Sequence, residues 1–82
     1  MIGPGGTIGI LGGGQLGWMI AIEAQRMGYR TAVLDPSADC SASRIADTLL
    51  VASFDNEMRC RELASKSDVV TLEFERVSHR IY

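Results

Sequence analysis

Apolar residues fall in short blocks along the chain, each closed by glycine, proline or small polar residues. Ile8, Ile10 and Leu11 form the first block, without the polar alternation of a half-exposed strand. That is the pattern of a parallel strand covered on both faces. Leu16, Met19, Ile20, Ala24 and Met27 then recur at helical spacing, with Glu23, Gln25 and Arg26 in polar positions. The periodicity predicts a helix with those five residues as its core stripe, ended by Gly28 where a C-capping glycine belongs. Residues 29–34 read as a second strand, closed by Asp35-Pro36, because proline cannot continue a central strand. Residues 37–43 read as a loop with one helical turn through Ile45 and Ala46, and 48–51 as a third strand. Asp55 stands where an N-cap is expected for a helix to about Lys66, with Cys60, Leu63 and Ala64 on one face. Residues 68–72 form a fourth strand leading into Glu73-Phe74-Glu75.

Strands alternating with helices imply right-handed crossovers and a parallel sheet. The expected fold is therefore α/β: a Rossmann-like half-sheet of about four parallel strands in the order 3-2-1-4, with helices on both faces. Residues 1–6, rich in glycine and proline, read as a flexible leader, 7–77 as the domain and 78–82 as a tail. In this order strands 1 and 4 are neighbours whose connections leave on opposite faces. Their carboxyl ends flank the crevice where open α/β sheets bind ligands. Residues 12–17 lie at the end of strand 1, and Glu73 and Glu75 at the end of strand 4.

Composition narrows the functional classes. At 82 residues the chain is at most one small domain, with 46% apolar and 22% charged residues. Its formal charge of −2 gives no basic footprint for nucleic acid or an anionic membrane. The apolar runs fall far short of the roughly 20 residues of a membrane span. The opening residues lack the basic and apolar regions of a signal peptide, so the expected location is the cytoplasm. Without a secretory signal, Cys40 and Cys60 read as free thiols. One histidine and two scattered cysteines make no zinc set, and no metal site is expected.

Chemistry concentrates in Gly12, Gly13, Gly14, Gln15, Leu16 and Gly17. A glycine-rich turn between strand and helix lets backbone N–H groups and a helix N-terminus face an anion. Gly12, Gly14 and Gly17 fit the dinucleotide fingerprint, and Asp35 follows Gly17 after 18 residues, close to the spacing of a ribose-binding acid. Two bland readings stand beside it. The glycines also suit close helix–strand packing, and Asp-Pro is a common turn starter. Glu73 and Glu75 share a side of an extended segment, either as a solvated strand end or, for Glu73, as a contact to an amine or ribose hydroxyls. Gln15 can offer its amide, and Leu16 its N–H, to a phosphoribosyl group. Trp18 reads as packing, and Arg76, His79 and Arg80 carry no assigned role.

These strings carry a family likeness. Residues 8–17, the Gly-Tyr-Arg at the first helix end, Val33-Leu34-Asp35-Pro36, Ala46-Asp47, Ser53-Phe54-Asp55 and residues 70–75 together resemble the N-terminal domain of the 5-(carboxyamino)imidazole ribonucleotide synthetases, ATP-grasp ligases. The resemblance spans about residues 7–77. It implies an enzyme of purine biosynthesis that carboxylates 5-aminoimidazole ribonucleotide with bicarbonate, using ATP and Mg²⁺ held by domains this chain lacks. No cofactor is then expected in this chain, which alone is not expected to catalyse, and full-length members are expected to be homodimers. By position, Gly14, Gln15 and Leu16 would contact the substrate and Glu73 its amine or ribose end. Gly12, Gly13 and Gly17 would form the loop, and Asp35 would be structural. Trp18 stands where the family usually has arginine and Ser41 where proline is common, and after Val77 the pattern is not continued. A stand-alone NAD- or FAD-binding module and a non-catalytic interaction piece remain the competing readings.

Overall fold

The computed structural model describes residues 5–72. Residues 1–4 of the expected leader, Glu73, Phe74 and Glu75 at the end of strand 4, and the tail lie outside the described residues. In chain order the elements are β1 (Thr7–Leu11), α1 (Gln15–Arg26), β2 (Arg30–Asp35), a 3-10 turn (Ser41–Arg44), β3 (Thr48–Val51), α2 (Glu57–Lys66) and β4 (Val69–Leu72). The strands form one parallel sheet in the order β3-β2-β1-β4, as the alternation of blocks predicts. Ile10 pairs with Val33 on one side and Thr71 on the other, so β1 is central and β4 is an edge.

Side-chain alternation along the sheet makes two cores. Ile10 and Val33 join Ala21 of α1 and Ala42 of the 3-10 turn on one face. Ala32, Leu34 and Leu50 join Leu63 of α2 on the other. Helices therefore cover both faces. Burying Ile10, Leu34 and Leu63 fully contributes on the order of 1.5–3 kcal/mol each. Thr31 is the buried polar residue, and it is satisfied: Nε2 of Gln25 donates to its hydroxyl at 3.1 Å and to the Ile45 carbonyl at 2.6 Å. Its own N–H donates to Asp47 Oδ2 at 2.8 Å.

The inner stripe of α1 differs from the expected one. Gly17, Ala21 and Ala24 are buried, whereas Leu16, Met19 and Met27 are 53%, 50% and 64% exposed. The cause is distance. A Cβ at Gly17 would collide with the Gly12 carbonyl oxygen, so the helix lies directly on the end of β1. Only small side chains fit along that contact. Positions 17, 21 and 24 have helical spacing too, but their low hydrophobicity hides them behind the larger residues. The large ones, with Ile8 and Val69, border an open apolar groove of about 570 Å³ beside β4.

Both helix ends have local causes. At the end of α1, Gly28 adopts φ 93°, its N–H donates to the Gln25 carbonyl, and the Tyr29 N–H donates to that of Ala24. This double closure requires the left-handed conformation that glycine adopts without a Cβ penalty. The chain ahead of β1 is tied to the same place, since the Gly5 N–H donates to the Gly28 carbonyl and the Arg30 N–H to that of Gly6. At the start of α2 the cap is Asn56, not Asp55: Asn56 Oδ1 accepts the Arg59 N–H at 3.0 Å. Asp55 lies one residue too early, inside a turn where the Asn56 N–H donates to the Ser53 carbonyl. Of the residues expected on the inner face of α2, Leu63 is buried and Cys60 half-buried, but Ala64 is exposed.

Candidate functional site

The connection from β1 to α1 is held by a small set of backbone bonds. Gly12, at φ 109°, donates its N–H to the Leu34 carbonyl at 2.9 Å, which continues the β1–β2 ladder by one step. Gly13 has both polar groups engaged. Its N–H donates to Asp35 Oδ2 at 2.8 Å, and its carbonyl accepts the Ala42 N–H at 2.9 Å. A Cβ on Gly13 would lie 2.6 Å from Cys40 Sγ and 3.0 Å from Val33. Together with Gly17 against the Gly12 carbonyl, these contacts show that Gly12, Gly13 and Gly17 serve the shape of the turn.

Gly14 is different. It occupies the N-cap of α1, accepts the Trp18 N–H at 2.8 Å on its carbonyl, and has nothing within 4 Å of where a Cβ would stand. Gly14, Gln15 and Leu16 are all exposed. No side chain caps this helix start, and no acidic residue stands in its first turn. The N–H groups at a helix start lack intrahelical partners, so they present a local positive dipole toward solvent. Exposed donors without a crowding side chain are what a ligand-facing turn requires.

Asp35 closes the arrangement from the end of β2. Its Oδ1 accepts the Ser37 N–H at 2.9 Å while Oδ2 holds Gly13, so it both starts the Asp-Pro turn and clamps the glycine turn. The Cys40 thiol behind Gly13 is half-buried. Burial pushes its pKa up, and the negative charge of Asp35 pushes it further, which leaves it a poor nucleophile. Cys60 is likewise a free thiol raised by burial, then by Asp55 and Glu57. Trp18, expected to pack, is 37% exposed on α1.

The fold thus brings Gly12, Gly13, Gly14, Gln15, Leu16, Gly17 and Asp35 to one end of the sheet. Leu72, the last residue of β4, pairs with Leu11 at that same end, and Glu73 and Glu75 lie outside the described residues. Sequence reasoning missed the backing of the turn by Cys40 and Ala42, which come from a loop with no periodicity. Their small side chains, among others in residues 37–43, are the only trace of it.

A parallel α/β half-sheet with a glycine turn at its switch point defines a nucleotide-binding class of fold. Within that class the sequence matches the ribonucleotide synthetase preATP-grasp domain model over residues 6–81, and the chain belongs to this family. It is 53% identical over 74 residues to an N5-carboxyaminoimidazole ribonucleotide synthase of Brucella melitensis, covering 90% of this chain and 20% of that protein. A solved N5-carboxyaminoimidazole ribonucleotide synthetase, in an ADP complex, superposes with a TM-score of 0.92 at 51% identity, covering 98% of this chain and 21% of the other. The Staphylococcus aureus synthetase, also complexed with ADP, gives a TM-score of 0.88 at 49% identity over 89% of this chain and 20% of its own. The chain therefore spans about one fifth of the length of these relatives.

Proposed function

We propose that this chain is the substrate-side portion of an ATP-dependent ligase that carboxylates 5-aminoimidazole ribonucleotide with bicarbonate in purine biosynthesis. The observation that carries the reading is the family match over residues 6–81, with an exposed, uncapped helix start at the matched turn. In this reading Gly14 leaves room for the ribonucleotide, and Gln15 and Leu16 offer it an amide and a backbone N–H. Glu73 accepts from its amine or ribose hydroxyls.

ATP and Mg²⁺ do not fit the residues at hand. The turn at residues 12–17 contains no lysine, and its Gly13 N–H is engaged by a carboxylate. Among the described residues no cluster of three or more His, Cys, Asp or Glu could hold a metal ion. The phosphoryl chemistry is accordingly assigned to the part of the family's polypeptide that this chain does not contain, and the chain alone is not a catalyst.

Calorimetric titration of the 82-residue chain with 5-aminoimidazole ribonucleotide tests the reading. Weak, saturable binding is expected, lowered about tenfold by Gln15→Ala, the loss of roughly one hydrogen bond. Tight binding of NADH with no response to the ribonucleotide would reject the reading in favour of a dinucleotide module.

A further inference from the structure

In glycine turns that bind nucleotides, the phosphate meets backbone N–H groups at the start of the helix. Here the N–H of Gly13 already has an anion: Oδ2 of Asp35, at 2.8 Å. The same carboxylate is fixed through Oδ1 by the Ser37 N–H at 2.9 Å, so it stands pinned beside the turn. The peptide it touches is immobilised as well, by the Gly12 N–H on the Leu34 carbonyl and the Ala42 N–H on the Gly13 carbonyl. Residues 12–17 bring no lysine or arginine to offset that negative charge. A phosphate arriving here would meet a donor already engaged and a like charge beside it, both of which disfavour binding.

We propose that Asp35 is a specificity-determining residue: an internal anion that takes the phosphate's place at the glycine turn. The exposed donors of Gly14, Gln15 and Leu16 then receive hydroxyl or ring-nitrogen acceptors of a ligand and reject its phosphate. This deepens the proposed function and rests on it only for the identity of the ligand, by assigning the uncharged part of the ribonucleotide to the turn.

Inorganic pyrophosphate is the probe, titrated into the ¹⁵N-labelled 82-residue chain while the amides of residues 13–16 are followed by NMR. The unchanged protein is expected to show no saturable shift at these amides. Asp35→Asn keeps the shape and removes the charge, and is expected to bind pyrophosphate there at least about tenfold more tightly. Asp35→Ala is expected to change in the same direction. Ser37→Ala, which removes only the hydroxyl that accepts the Asp39 N–H, is expected to behave as the unchanged protein. Saturable pyrophosphate binding by the unchanged protein, or no gain in a folded Asp35→Asn, would overturn the proposal. Unfolding of both Asp35 variants would do so too, since it would assign the residue to stability alone. Failure of 5-aminoimidazole ribonucleotide to bind would strike the proposed function and leave the pyrophosphate comparison standing.

Discussion

The two sides of α1 follow opposite rules. The inner side, Gly17, Ala21 and Ala24, is built from the smallest residues and is buried, while the outer side carries Leu16, Met19 and Met27 in the open. Hydrophobicity alone would turn the helix the other way. Proximity decides: α1 starts from a turn so tight that Gly17 rests on the Gly12 carbonyl, and side-chain volume there is worth less than contact. The glycine turn and the inner face of α1 are therefore one structural unit, and the turn's ligand-facing side is what remains exposed.

Substitutions that add volume to the inner side test that unity most severely. Gly17→Ala drives a Cβ into backbone that cannot rotate away, and a loss of about 3 kcal/mol or more is expected in urea unfolding. Ala21→Met, which overfills a fully buried position, is expected to cost about 2 kcal/mol. Gly14→Ala separates the two roles of glycine in the turn. With nothing within 4 Å of the new Cβ and φ at −71°, its stability cost is expected to stay below about 1 kcal/mol, the difference between glycine and alanine as N-caps. On the outer side, Met19→Gln and Met27→Gln are each expected to shift stability by no more than about 0.5 kcal/mol. A large loss from either methionine, or tolerance of Gly17→Ala, would reverse the assignment of the two faces.

Much of the fold is legible in the sequence. Four apolar blocks separated by helical stretches and glycine or proline stops leave little choice but a parallel sheet, and the strand order follows from crossover handedness. The buried stripe of α1 is not legible, because glycine and alanine carry little hydrophobic signal while the methionines carry a strong one. The cap of α2 hides for a related reason: Asp55 and Asn56 are both good caps, and only the turn from Ser53 to Asn56 decides between them. In the candidate site, the turn is visible from its glycines alone. The use of Asp35 is not, since an acid at the end of β2 has the same spacing whether it faces a ribose or the Gly13 N–H. The backing by Cys40 and Ala42 depends on a 3-10 turn that no periodicity marks.

The most direct test of the ligand-facing turn is an amide-resolved NMR titration of the chain with 5-aminoimidazole ribonucleotide. Saturable shifts confined to Gly14, Gln15, Leu16 and the end of β4, with Met19 and Met27 unmoved, are the expected result. Shifts centred on the outer face of α1, or an unchanged spectrum at residues 14–16 on saturation, would contradict it.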